Sequence, residues 1–190
     1  PELEQSPSLD LGICKYLAVS EEVKNNLLKN NISDTLIEIV RNFVDTKKFK
    51  ITKEPNTKLK NIMVLSNHYT DEIKESLNFL SKKLNLNLIH VGLPENSVDN
   101  VEDFINQSDL VITLGRGVLE ALSCGRNVLV YDVHGGDGII DEENFWEVRK
   151  NNFSGRRFSK KYNIEDLEKE LSKYSKKTGL KLREIVEREN

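Results

Sequence analysis

The sequence predicts a doubly wound α/β domain, a parallel sheet with helices on both faces, and three observations carry that expectation. Four near-continuous apolar runs, beginning at Ile62, Leu86, Asp109 and Asn127, alternate with segments of helical period. Strands that are apolar on both sides belong in a parallel sheet covered on both faces. The glycines and polar clusters gather directly after those runs, at residues 66–70, 92–98, 114–117 and 133–141. In open α/β sheets ligands bind beyond the C-terminal strand ends, which places the site at these loops. Finally, 190 residues with 37% hydrophobic and 31% charged content can bury a core without disulfide or metal staples.

In chain order, residues 1–11 read as a loop entering a strand, as expected for a piece of a longer chain. Residues 15–19 (KYLAV) form a short apolar strand, and Ser20 caps a helix whose first turn carries Glu21 and Glu22, where carboxylates suit the helix dipole. Asn30 and Asn31 close that helix near Lys29, residues 36–40 (LIEIV) are a second strand, and residues 41–45 turn the chain out of it. Residues 47–60, lysine-rich around Pro55, form a polar connector and the internal boundary. The organisation expected is a lead-in over 1–50, strand-helix-strand, and a body over 51–190.

The body opens with the strand 62–65 and the loop Ser66-Asn67-His68-Tyr69-Thr70. Asp71 begins a helix with Ile73, Leu77, Leu80 and Leu84 on one face. A strand over 86–91 follows, then a short helix over 101–105 and the segment 109–132, DLVITLGRGVLEALSCGRNVLVYD. That segment reads as a buried strand, a glycine turn at 115–117, a helix over 118–123 ended by Cys124-Gly125-Arg126, and a second buried strand. A turn of this kind lets a backbone approach a ligand and offers free N–H groups to an anion. Residues 133–138 (VHGGDG) read as a second glycine-rich loop, 142–150 as a helix, 151–158 as an irregular loop in which 152–157 read as exposed and basic, and 164–174 and 180–189 as amphipathic helices, with Asn163 and Asp166 in a capping arrangement.

Composition excludes several classes. A net charge of -3, with lysines interleaved among glutamates, argues against a nucleic-acid surface. Cys14 and Cys124 lie far apart in apolar surroundings and are expected to be buried, reduced thiols of a cytoplasmic protein. His68, His90 and His134 share no ligand spacing, so no metal site is expected. No apolar run approaches the ~20 residues that cross a bilayer, which leaves membrane contact at most peripheral.

The run SDLVITLGRGVLEALSCGRNVLVYD resembles the signature "ADLVI…G…LEALACG.PVLVYD" of glycosyltransferases of the GT-B fold, in the half that binds the nucleotide-sugar donor. KYLAVSEEVKNNLL followed by IEIVRNFVDTKKF is similar to the hinge segment of the same enzymes, and the match spans roughly residues 15–138 in the order the family requires. The resemblance implies a Rossmann-like C-terminal half of a GT-B enzyme. It also implies an N-terminal acceptor domain in the same chain, a UDP- or GDP-linked sugar as donor substrate, and neither cofactor nor metal. On it, Glu120 matches the glutamate that holds the ribose hydroxyls. Gly115 and Gly117, with the helix start, would face the donor phosphates, and Arg116 would supply positive charge. Asn67 and His68 occupy the phosphate loop, and Gly135, Gly136 and Asp137 would bind sugar hydroxyls. No catalytic residue is assigned, and this piece alone is expected to bind nucleotide and transfer little sugar.

Two departures from the family pattern stand out. Many retaining members carry a second glutamate eight positions before the ribose glutamate, where this chain has Ile112, and an Arg and a Lys after the first body strand, where it reads SNHYTDEIK. These departures motivate two alternatives: a nucleotide-sugar epimerase of the same fold, and a non-catalytic nucleotide-binding or interaction module.

Overall fold

The computed structural model describes residues 12–189, so the loop expected over 1–11 lies outside the described residues. The lead-in forms β1 (Tyr16–Ala18), α1 (Glu21–Lys29), a single 3₁₀ turn (Asp34–Leu36) and β2 (Ile37–Ile39). Ser20 Oγ accepts the Val23 amide at 3.2 Å, and Asn30 is the C-cap, as the sequence predicts. β1 and β2 pair in parallel, and Ala18, Leu27, Ile32 and Ile37 make a small core of their own beneath them. Cys14 departs from expectation: it sits on the exposed approach to β1, whereas Cys124 is fully buried.

The body is a five-stranded sheet in the order β4-β3-β5-β6-β7, formed by β3 (Asn61–Leu65), β4 (Asn87–Val91), β5 (Leu110–Thr113), β6 (Asn127–Asp132) and β7 (Gly135–Ile139). The first four are mutually parallel, as expected. Alternate residues divide between the two faces. Ile62, Val64, Leu110, Ile112 and Leu129 pack under α2 (Asp71–Leu84) and α6 (Ile164–Ser172). Met63, Val111, Val128 and Val130 pack under α3 (Val101–Gln107), α4 (Arg116–Ser123), α5 (Phe145–Lys150) and α7 (Lys176–Glu189). No helix of the described residues is long and apolar enough to cross a membrane.

Two sequence expectations are corrected here. The loop read into residues 133–138 is mostly strand: β7 runs antiparallel to β6, and only Val133 and His134 make the turn. Gly135 and Gly136 are needed in this strand because a side chain does not fit there; a Cβ on Gly136 would collide with the Val130 carbonyl, and one on Gly135 would lie 2.6 Å from the Lys160 carbonyl oxygen. The segment 151–158 is irregular, as expected, and Arg157 and Phe158 are exposed, but the rest of it is not an open basic loop. Phe153 is buried in the core, Arg156 makes two bonds to Glu22 of α1 at 2.6 and 3.0 Å, and Asn42 donates to Asn152 at 2.9 Å.

The connector 47–60 is fixed to the body by buried polar groups at the N-terminal ends of β5 and β6. Asp109 accepts from the backbone amides of Asn56, Lys60 and Asn61 at 2.8–3.0 Å and from the Asn56 side chain. Arg126, wholly buried, donates to the Lys53 carbonyl and, at 2.9 Å, to Asn106 Oδ1, which also accepts the Thr52 amide. Phe49 and Val44 then insert into the body core, where a buried side chain of this size contributes ~1.5–3 kcal/mol.

Asp109→Ala would remove the acceptor of three part-buried backbone amides, and we expect a loss of about 3 kcal/mol in urea unfolding, against no measurable change for the exposed Glu143→Ala. Burial pushes the Cys124 thiol up to about 12, so thiol titration at neutral pH should count one reactive cysteine, Cys14, in the native protein and two in denaturant.

Candidate functional site

Ascending from the sheet, the strand order reverses between β3 and β5: β4 lies to one side of β3, while β5 and β6 lie to the other. Beyond the C-terminal ends at this crossing opens a cavity of about 650 Å³, within the range of small-molecule sites. Three layers of chain build it. Ser66 and Asn67 follow β3, Gly92, Leu93, Ser97 and Val98 follow β4, and Thr113, Leu114, Arg116, Gly117 and Glu120 come from the end of β5 and from α4. The lead-in closes the remaining side with Phe43, Val44, Asp45, Lys48 and Phe49.

The β5–α4 turn explains the two glycines differently. Gly115 is the helix N-cap at φ 60° and ψ -128°, a conformation that residues with a side chain rarely adopt. Its amide donates to the Phe153 carbonyl at 2.9 Å, which locks the turn to the loop after α5. Gly117 is needed for space, since a Cβ there would sit 2.5 Å from Thr113 Oγ1 and 3.2 Å from Leu65 Cδ2. The helix begins at Arg116, two residues before the expected Val118, so Gly117 lies in its first turn rather than ahead of it. Thr113 in turn donates to the Leu65 carbonyl at 2.8 Å, joining the ends of β3 and β5 under the cavity floor.

Glu120 lies one turn into α4, and its side chain is only 10% exposed. Arg116 Nε donates to its Oε1 at 2.9 Å, while the arginine itself is 71% exposed. Across the cavity, the Lys47 and Lys48 amides bond Asp45 Oδ1 at 2.9 and 3.1 Å and hold its carboxyl below the usual carboxylate range. Lys48 lies 3.4 Å from Glu102 and over the Phe49 ring. The wall therefore offers two cations, Arg116 and Lys48, and two carboxylates, Asp45 and Glu120, among hydroxyl, amide and aliphatic groups.

His90 sets the loop on the β4 side. Its Nε2 meets the Ser66 carbonyl at 2.8 Å; a carbonyl only accepts, so Nε2 carries the proton. Asn96 Nδ2 faces Nδ1 at 3.2 Å, and the side-chain Oδ1 of Asn67 accepts the Leu93 amide at 2.8 Å. Gly92 is tight against this loop, since a Cβ would collide with the Ser66 carbonyl.

Of the residues singled out by sequence, Asn67, Arg116, Gly117 and Glu120 line one cavity, and Gly115 shapes its rim as the cap of α4. His68 falls in a neighbouring cavity of about 470 Å³, with Tyr69, Thr70, Asp132 and His134, which Asn67 also borders. Gly135, Gly136 and Asp137 do not join either lining. They are buried in β7, where Asp137 Oδ1 accepts the Phe158 amide at 2.6 Å. Sequence reasoning missed the lead-in wall, His90 and the hydroxyls of Ser66 and Thr113. The signal for the first was the VDTKKF part of the hinge match, which supplies Val44, Asp45, Lys48 and Phe49.

Neither a family model nor a curated protein matches this sequence. Solved structures similar to it include the following three. A point mutant of S. aureus TarM, in complex with fondaparinux, α-GlcNAc-glycerol and UDP, has a TM-score of 0.47 at 16% identity, over 90% of this chain and 43% of that one. Anabaena HepE in complex with UDP has 0.48 at 13% identity, over 92% and 59%. The lipopolysaccharide outer core galactosyltransferase WaaB, in its apo form, has 0.42 at 14% identity, over 93% and 62%. This chain thus spans between 43% and 62% of the lengths of the structures it is similar to.

Gly117→Ala should cost roughly 1–3 kcal/mol in thermal or urea unfolding through overpacking against Thr113 and Leu65; an unchanged midpoint would show that α4 can shift freely.

Proposed function

We propose that this chain is the nucleotide-sugar-binding domain of a glycosyltransferase that moves a hexosyl group to an acceptor, with UDP- or GDP-linked sugar as substrate and no further cofactor. One observation carries the reading: a nearly buried carboxylate, Glu120, beside an exposed cation, Arg116, in a cavity of about 650 Å³ at the crossing of a doubly wound sheet. A ribose presents two hydroxyls as donors, which suit a carboxylate, and a diphosphate presents acceptor oxygens, which suit a guanidinium. The sequence signature around Glu120 and the hinge-like lead-in support the same assignment. In this reading Glu120 accepts the ribose hydroxyls, Arg116 neutralises phosphate charge, and Gly115 and Gly117 let the ligand approach the start of α4. Asn67 frames the phosphate end together with His68 from the adjoining cavity. An acceptor domain preceding β1 in the same polypeptide completes the cleft, so residues 51–190 supply the donor half and 1–50 the hinge.

A nucleotide-sugar epimerase is the second reading, and Ile112 favours it. That residue is buried in β5 under α2 and α6 and does not line the cavity, so this position supplies no carboxylate to it. Release of UDP and an isomerised sugar from UDP-N-acetylglucosamine, without acceptor, would select it.

Calorimetry with UDP, GDP and ADP tests the nucleotide site. We expect one of them to bind and Glu120→Ala to weaken it about tenfold or more, the size of a charge-assisted hydrogen bond. No binding at millimolar concentration by any of the three would remove the reading.

A further inference from the structure

We propose that Arg116 is an exchangeable counter-ion: it holds Glu120 in the free protein and leaves it for a ligand phosphate, so that Glu120 becomes available to ribose hydroxyls when the ligand carries phosphate. This inference rests on the nucleotide reading of the cavity and names what selects a nucleoside diphosphate over a nucleoside there.

The two partners are unequally anchored. Glu120 is held at 10% exposure among the buried residues of α4, whereas Arg116 is 71% exposed and makes its one described hydrogen bond to Glu120 Oε1. Any partner change therefore moves the arginine. Its position is also a poor one for helix stability. Arg116 is the first residue of α4, α4 has no acidic residue in its first turn, and Gly115 provides no side-chain cap. A cation at that end opposes the helix dipole, and arginine four residues before glutamate is the weaker order for such a pair. An anion at the helix start reverses both penalties, because it is attracted by the free N–H groups and by the guanidinium together.

Charge balance couples the two events. With Arg116 on Glu120, the four charged groups of the wall sum to zero, and Oε1, one of the two oxygens that would accept the ribose hydroxyls, is already occupied. A nucleoside brings only hydroxyl donors and must compete with the guanidinium for the carboxylate. A diphosphate draws the guanidinium away, and the freed carboxylate is then satisfied by the ribose hydroxyls. Arg116 acts as a specificity-determining residue rather than a simple phosphate contact.

The test compares wild-type protein and Arg116→Met for the diphosphate that binds in the panel above and for its parent nucleoside. Wild type should prefer the diphosphate. The variant should lose about tenfold in diphosphate affinity and gain about threefold for the nucleoside, since the competitor for Glu120 is gone. Equal losses for both ligands, or an unchanged or weaker nucleoside affinity, would overturn the exchange while leaving the nucleotide site standing. Failure of every diphosphate to bind wild type would remove the site and the exchange with it. A readout in wild type covers the case of a misfolded variant: the Arg116 Nε–H resonance should shift on adding diphosphate and stay in place with the nucleoside, and an identical shift with both would also refute the exchange.

Discussion

Arg126, Asn106 and Asp109 form the constraint on which the rest of the arrangement depends. A guanidinium with no exposed surface is costly unless its N–H groups find acceptors; here Nη2 donates to the Lys53 carbonyl and to Asn106, while Nε and Nη1 have no hydrogen-bond partner among the described residues. Asp109 does the complementary work, collecting backbone amides from Asn56 to Asn61. Together they anchor a connector that has few apolar residues of its own. All three stand at the N-terminal edge of the sheet, at the end of α3 and just before β5 and β6. At the opposite edge Thr113 and His90 tie the strand ends and the loops after them through backbone carbonyls, and the cavity opens above them. Both ends of the strands are thus held by polar contacts, and it is the C-terminal end that leaves an exposed cation, Arg116, facing open space.

The elements legible in the sequence were those whose burial leaves a periodic trace. Ile62 to Leu65, Leu110 to Thr113 and Asn127 to Asp132 alternate between two covered faces, so they read as continuous apolar runs, and α2 shows its buried stripe through Ile73, Leu77 and Leu80. The Asn163–Asp166 capping box was legible because its chemistry is local. β7 left no such trace. Its glycines are required by contacts with Val130 and Lys160, distant in sequence from the pattern a reader can scan, and a run of glycines signals a loop by local rules alone. Phe153 was hidden similarly, since it reaches the core from a turn at positive φ rather than from a periodic element.

For the candidate site, Glu120 and the turn before it were visible because they share one short strand-turn-helix unit. The pairing of Arg116 with Glu120 follows from helical spacing, and the steric role of Gly117 does not, since it depends on Thr113 and Leu65 across the sheet. The lead-in wall depends on Phe49 and Val44 entering the body core, a tertiary event that no spacing announces.

That insertion gives the cavity a mechanical meaning. Phe43, Val44, Asp45, Lys48 and Phe49 come from one side and Arg116, Gly117 and Glu120 from the other, so whatever fills the space touches both. By mass action, a ligand present at a hundredfold excess over its dissociation constant adds about 2.7 kcal/mol to the assembled form relative to one it cannot bind. Occupancy of the cavity would then be felt at β1 and β2 as tighter attachment of the lead-in. Whatever precedes Tyr16 would be carried on a segment whose docking strength reports whether the pocket is full.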